Sequence, residues 1–341
     1  MNSTYYEQLP RNYFNNLYER ILDYLLKQQN TYVAVMHGCG GKTFLNLFLH
    51  YYKTEKHQPV AIYYDPLIEK QELFKFSQNA LQTHKRCLIV IRQFENIPNK
   101  KILLEKLNHL RYPFPERITF LVITDHTAVT SPQDYVSLSG VFFSHQEYLA
   151  PLNLNQTTEM ITINSNYYGW QTPSSLNEKI YAISGGIPRL IKYIAKDISE
   201  KGNIINNLDL FLMNPAINYQ VDYCTQLLLQ FDKKILHTLG LLENNRISST
   251  LLQHYFETYQ STFVKVTFPQ LTSLERAILS YLFEKKGEIV SIDHIGDLLE
   301  LQGQEFSQWA IYKQISRIKP KIAKLFTIEN IKGQGYILNQ A

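Results

Sequence analysis

Cysteine is scarce in this chain. Cys39, Cys87 and Cys224 are its three, their separations fit neither a zinc site nor a disulfide framework, and an odd count argues for reduced thiols. A marked excess of either charge is also lacking. Lys and Arg number 34 against 30 Asp and Glu in 341 residues, a formal net charge of +4, too mild to announce a nucleic-acid partner by itself. No apolar run approaches the length of a membrane span. The N-terminal stretch MNSTYYEQLPRNYFNN has no basic-then-apolar signal pattern. These absences exclude disulfide-rich secreted and membrane classes and lead to the expectation of a cytoplasmic protein with no membrane partner. What remains is ordinary for a globular chain, 45% hydrophobic and 19% charged, and long enough for two or three domains. Aromatics are plentiful, 24 Tyr and 18 Phe, and no sequence pattern explains them.

Toward the C-terminus the periodicity is helical. Leu274, Ala277, Ile278, Tyr281 and Leu282 form an i, i+3, i+4, i+7, i+8 stripe, with Thr272 or Ser273 as cap and Lys286-Gly287 as stop. Ser291 then caps a second short helix expected to bury Ile292, Ile295, Leu298 and Leu299. A third begins near Ser307 and buries Ile311, Ile315, Ile318 and Ile322, which fall in one narrow sector at about 100° per residue. Its outer face therefore carries Trp309, Lys313, Ser316 and Arg317, with Tyr312 on the flank and Lys319 near the end, where Pro320 removes a backbone donor and is expected to kink or end the helix. TIENIKGQGYIL reads as a β-hairpin with a glycine turn bearing Lys332. Charge is divided here. Residues 266–310 hold three Lys/Arg against seven Asp/Glu, and residues 311–341 hold six against one, as suits a surface pressed against phosphates.

These segments resemble the effector domain of the OmpR/PhoB response-regulator family. Leu271, Thr272 and Glu275 match its Leu-Thr-x-x-Glu start. Ile315, Ser316, Arg317, Ile318, Lys319, Lys321 and Ile322 match its recognition-helix ending, and Gly333, Gly335 and Tyr336 its wing. The resemblance implies a winged helix-turn-helix domain over residues 261–341 that binds double-stranded DNA through Trp309, Tyr312, Lys313, Ser316, Arg317, Lys319 and Lys332. A winged helix used only to bind protein is the competing reading.

The first half alternates short apolar runs (TYVAVM, PVAIYY, RCLIVI, ITFLVI, GVFF) with helical patterns, which argues for a parallel sheet covered by helices. The first run enters HGCGGKTFLNLFLHYY, the strand–glycine turn–helix context of a phosphate-binding loop. Amides of Gly38, Gly40 and Gly41 would cradle phosphate, Lys42 would pair with it and Thr43 would ligate magnesium. Met36 stands where the pattern's first glycine belongs, so a chance glycine-rich turn is the alternative.

The third run ends in Arg92-Gln93-Phe94-Glu95 in place of the Asp-Glu pair that supports metal and attacking water in P-loop ATPases. Efficient hydrolysis is therefore not expected, residual NTPase activity stays open, and magnesium is doubtful. Arg92 would stand in for part of the metal's charge, making ATP binding insensitive to EDTA. Glu95, three residues late, reads as a surface or structural residue. Asp125 follows the fourth run, where the P-loop ATPases this segment resembles keep a polar phosphate sensor; a helix cap or loop residue is the alternative. The Gly-Gly-x-Pro-Arg pattern of SGGIPRLIKYIA resembles the lid-helix start of AAA+ ATPases of the STAND and origin-recognition type, which implies Arg189 as a second sensor; an ordinary surface arginine is the alternative. Residues 1–200 resemble a P-loop NTPase of the STAND/AAA+ type with a damaged Walker B strand. The resemblance implies an α/β NTPase-like sheet over residues 1–150, a helical lid over 151–204, and ATP or another nucleoside triphosphate as ligand.

Residues 205–260 read as a helical linker or a reduced helix-turn-helix. At a gapless offset of 43 residues, Asp232, Ile235, Leu236, Leu239, Ile247, Ser248 and Leu252 pair with Glu275, Ile278, Leu279, Leu282, Val290, Ser291 and Ile295. Two amphipathic helices sharing a period would give the same echo. STFVKVTF reads as a strand leading into the C-terminal domain. Together these features point to a DNA-binding transcriptional regulator controlled by a nucleotide-binding module, with a homo-oligomer as a further expected state. The alternatives are an active AAA+-like DNA ATPase of origin or transposition type, and a non-catalytic signalling or defence scaffold.

Overall fold

The computed structural model describes residues 5–341 except 56–57, 139, 203, 245 and 301–306, and excludes the side chains of 257–263, 266 and 298–300. The chain divides into two compact units, one of residues 1–220 with 238–240, the other of residues 221–237 with 241–341.

The first unit alternates helix and strand in the order α1 (Leu17–Leu26), β1 (Thr31–Val35), α2 (Gly41–Tyr52), β2 (Val60–Tyr64), α3 (Leu73–Thr83), β3 (Cys87–Arg92), α4 (Lys100–Arg111), β4 (Ile118–Thr124), α5 (Thr127–Thr130) and β5 (His145–Leu149). The five strands form one parallel sheet in the order β2-β3-β4-β1-β5. Side chains alternate across a strand. Accordingly Tyr32, Ile89, Ile91, Phe120 and Val122 pack with Leu73, Leu81, Leu104 and Leu107 of α3 and α4, while Val33, Leu88, Val90 and Leu121, also buried, point to the other face. Both faces are covered, which is why the inner strands read as unbroken apolar runs. The parallel sheet expected of a P-loop NTPase module is present.

The fifth strand is not GVFF. Phe142 and Phe143 are buried just before it, Asn30 Nδ2 donates to the Phe142 carbonyl at 3.1 Å, and the strand is HQEYL. An edge strand with Glu147 salt-bridged to Arg20 at 2.9 Å carries no apolar run for periodicity to find. Beyond it come α6 (Leu154–Tyr168), α7 (Asn177–Ser184), α8 (Pro188–Lys201), α9 (Leu208–Leu212) and α10 (Pro215–Gln230), whose residues from 221 on cluster with the second unit.

The second unit holds α11 (Lys233–Thr238, whose last residue clusters with the first unit), a two-residue ladder of β6 (Leu242–Glu243) and β7 (Arg246–Ile247), then α12 (Thr250–Thr267), α13 (Ser273–Glu284), α14 (Ile292–Glu300), α15 (Gln308–Ile322) and the antiparallel pair β8 (Phe326–Ile331) and β9 (Gly335–Gln340). STFVKVTF is helical, not a strand. Ser249 caps α12, and Val264 with Phe268 is buried in the core of this unit, so packing overrides the β-propensity of the run. In α15 the four isoleucines of the expected inner row are buried, and the helix continues past Pro320 to Ile322. In α13 the buried set is Ile278, Leu279, Leu282 and Phe283, while Leu274, Ala277 and Tyr281 are only half-buried. Leu298 and Leu299 lie outside the described side chains. Val290 and Tyr336 exchange two backbone hydrogen bonds of 2.8 Å. A Cβ on Gly335, whose φ is +142°, would overlap the Val290 carbonyl.

Glu275 is also on the buried face of α13. Its carboxylate accepts from Thr272 N–H at 2.7 Å, completing a capping box, and from Lys321 Nζ of α15 at 2.7 Å. Burial works against ionisation of Glu275, but the hydrogen bonds from Lys321 and Thr272 outweigh it and hold its pKa below the usual value. Breaking such a pair strands a buried charge. Lys321→Ala is expected to destabilise the second unit by roughly 3 kcal/mol, read by urea unfolding of the full chain. The pair's contribution should be present above the ordinary glutamate pKa and disappear as pH falls through the lowered one. A variant as stable as wild type at pH 7 would contradict it.

Candidate functional site

The site is built on the turn between β1 and α2. Gly38 and Gly40 have φ of +88° and +90°, backbone that residues with a Cβ rarely adopt. Gly40 is the N-cap of α2, and Phe44 N–H donates to its carbonyl at 2.8 Å. Space is as restrictive as torsion. A Cβ on Gly41 would lie 2.8 Å from Val35 Cγ1. One on Gly38 would overlap the Gln220 side chain, whose Nε2 donates to the His37 carbonyl at 2.8 Å. Met36, standing where the pattern's first glycine belongs, is fully buried. It nevertheless contributes to the lining of the cavity described next.

This turn opens on a cavity of about 720 Å³, within the roughly 300–1,000 Å³ common for small-molecule sites. Gly38, Gly40, Gly41, Lys42, Thr43, Asp125 and Arg189 all line it, so the nucleotide-site residues expected from sequence come together. The Lys42 ammonium makes no hydrogen bond or ion pair among the described residues and is exposed. A helix N-terminus with free amides and an uncommitted cation is suited to an anion such as a phosphate chain. The residues fit a nucleoside triphosphate.

Arg189 follows Pro188 at the start of α8. Its N–H donates to the Gly38 carbonyl at 3.1 Å, and its guanidinium donates to His37 Nε2 at 2.7 Å. Burial, together with the charges of Arg189 and His126, pushes the His37 pKa down, so this imidazole accepts as the neutral form. Sequence gave no sign of this residue's role, since neighbours from α8 and α10 define it.

The strand ends hold the remaining polar groups. Asp125 accepts at Oδ1 from Thr127 N–H at 2.9 Å and from the Thr127 hydroxyl, so its carboxylate serves the α5 turn while lining the cavity. Arg92 also lines the cavity, but its guanidinium lies 3.8 Å from the Asp65 carboxylate. Its charge is shared with Asp65, which weakens it as a stand-in for a cation. Glu95 is not a plain surface residue. The short turn Phe94–Asn96 brings its carboxylate back to the end of β4, where Oε2 accepts from Thr124 Oγ1 and Asp125 N–H, both at 3.2 Å. Burial and then Asp125 raise its pKa. No cluster of three or more His, Cys, Asp or Glu able to hold a metal occurs among the described residues. For a nucleotide-bound cation, Thr43, Glu95 and Asp125 are among the oxygen-bearing side chains that line the cavity.

The expected DNA-facing residues lie in the second unit. Trp309, Tyr312, Lys313, Ser316 and Arg317 of α15 are exposed, Lys319 is half-buried, and Lys332 stands exposed in the β8–β9 turn. Lys321, on the same helix, is committed to Glu275.

No family model matches the chain, and no curated protein does. Among solved structures it is similar to the RuvB Holliday junction branch migration motor of Thermotoga maritima (TM-score 0.44, 13% identity, covering 96% of this chain and 91% of that one). It is also similar to a Walker-type ATPase of Pyrococcus abyssi (0.46, 11%, 98% and 95%) and to the Aeropyrum pernix ORC1 protein in complex with DNA (0.41, 11%, 97% and 89%). At such identities and scores the functional reading rests on the residues of the site. No helix among the described residues is long and apolar enough to cross a membrane.

His37 supplies a direct check. An NMR titration should place its ring pKa below the ordinary histidine value of about 6.5, and Arg189→Ala should move it back up. Because the folded state disfavours the protonated ring, its contribution to stability is complete above the ordinary value and falls as pH drops below it. A pKa unmoved by Arg189→Ala would separate the two side chains.

Proposed function

We propose that the chain is a nucleotide-controlled DNA-binding regulator of AAA+-like architecture. In this reading the first unit binds a nucleoside triphosphate and the second binds duplex DNA through a winged helix. The observation that carries it is the convergence of the glycine turn, uncommitted Lys42, Thr43 and Arg189 on one cavity. Lys42 and the amides of Gly38 and of residues 40–43 would hold the phosphates, and Arg189 would reach them from α8. Such a nucleotide shifts the protein between states only by binding them with different affinity. For the second unit the support is the exposed row Lys313, Ser316 and Arg317 on α15, with the division of charge along the sequence. Arginine and lysine on such a helix suit base edges and phosphates. The chain is expected to work in the cytoplasm and as a homo-oligomer.

A slow DNA-stimulated ATPase is the second reading, and Glu95 favours it. A carboxylate hydrogen-bonded to Thr124, with its pKa raised by burial, has the character of a general base that orients water.

Lys42→Ala is expected to weaken binding of fluorescent ATP by roughly a hundredfold, the worth of a charge-assisted contact to phosphate. Unchanged affinity would reject the site. Arg317→Ala with Lys332→Ala should reduce DNA affinity in mobility shifts and lower the slope of log K against log salt by roughly one per lost phosphate contact. An unaltered slope would favour a protein partner. If turnover occurs, Glu95→Gln should abolish it while ATP binding persists. Turnover retained in Glu95→Gln would reject Glu95 as the base, and absence of DNA-stimulated turnover in the wild type would dismiss the second reading.

A further inference from the structure

One polar group in the first unit is left over by everything above. Asn164, on α6, is 1% exposed, yet neither its Oδ1 nor its Nδ2 has a hydrogen-bond partner among the described residues. It lines the cavity. A buried amide without partners is costly, because it forfeits water and gains nothing in exchange. The contrast with Asn30 is direct. That equally buried amide donates to the Phe142 carbonyl and accepts from Phe120 N–H, both at 3.1 Å.

The surroundings of Asn164 are aromatic. Tyr5, Tyr167, Tyr168 and Tyr193 line the same cavity with Met160. Tyr5 meets Tyr167 edge to face at 5.7 Å and lies 6.4 Å from Tyr168. Burial drives the Tyr5 pKa far up, so its ring is neutral. Flat, uncharged, polarisable walls suit a heteroaromatic ring, and the tyrosine richness that sequence left unexplained is in part spent here.

Resting on the nucleotide-binding reading, we infer that Asn164 reads the base of the bound nucleotide and selects adenine. The amide offers one acceptor beside one donor. Adenine offers the complement, a 6-amino donor beside a ring-nitrogen acceptor, a bidentate match that asparagine makes elsewhere in recognition of this base. Guanine would bring an N1–H and a 2-amino donor into the same buried space and needs a carboxylate there. The two acids of the cavity are engaged at the strand ends, Glu95 with Thr124 and Asp125 with Thr127. Cytosine shares the donor–acceptor pair but brings a smaller ring to the tyrosine wall.

The test displaces fluorescent ATP from the full chain with ATP, ITP, GTP, CTP and inorganic triphosphate. ATP should compete at least about tenfold better than ITP, which lacks the 6-amino donor, and better than GTP or CTP, since a mismatch leaves buried polar groups unpaired. Asn164→Ala should erase the preference. Asn164→Asp should shift it toward GTP, because a carboxylate accepts from both guanine donors. Inorganic triphosphate should compete equally with wild type and both variants, which also reports that they are folded. Equal competition by ATP and ITP on wild type overturns the inference without any variant, and so does an ATP preference that survives both substitutions. Failure of the chain to bind fluorescent ATP at all rejects the nucleotide-binding reading itself, together with what rests on it.

Discussion

A chain leaving a buried parallel strand has few residues in which to reverse and begin a helix, and here it does so through left-handed backbone at Gly38 and Gly40. The cavity depends on that turn. It frees the first amides of α2 and places Lys42 at their centre. A Cβ at Gly41 would crowd Val35, while one at Gly38, where the backbone is already left-handed, would displace the Gln220 side chain. The strand order brings β4 beside β1, so Thr124 and Asp125 end their strand next to the turn. Arg189 then closes on it by donating to the Gly38 carbonyl and to His37. Where the pattern's first glycine belongs, buried Met36 instead forms part of the cavity lining.

The second unit is organised by a different constraint. Glu275 accepts from Thr272 and Lys321, which favour its ionised form, and it is almost wholly buried. The pair fixes the start of α13 against the end of α15 and takes Lys321 out of the set of cations free to meet a ligand. Among the residues left exposed on α15 are Trp309, Tyr312, Lys313, Ser316 and Arg317. Folding and surface chemistry thus use different lysines of one short basic stretch.

Much of this was legible in the sequence. The inner strands of the sheet were found because burial on both faces makes them continuous apolar runs. The isoleucine row of α15 was found because its period is strict. The phosphate loop was found because its glycines and lysine are adjacent in sequence. The misses share a cause, which is that neighbours distant in sequence decide them. The edge strand His145–Leu149 is polar and pairs only with β1. Val264 belongs to a helix because of what it packs on, despite β-branched neighbours. Glu95 reaches the end of β4 only because the turn after β3 folds back. Gln220 meets His37 across 183 residues of sequence, and Asn164 shows nothing unusual until its burial and missing partners are seen.

The central claim is that the glycine turn and the first residues of α2 hold a nucleotide phosphate chain. Amide hydrogen exchange of the full chain, with and without saturating ATP, tests it most directly. The account predicts slowed exchange over residues 38–43, and the same slowing with inorganic triphosphate. Exchange there that is unchanged by either ligand would contradict it.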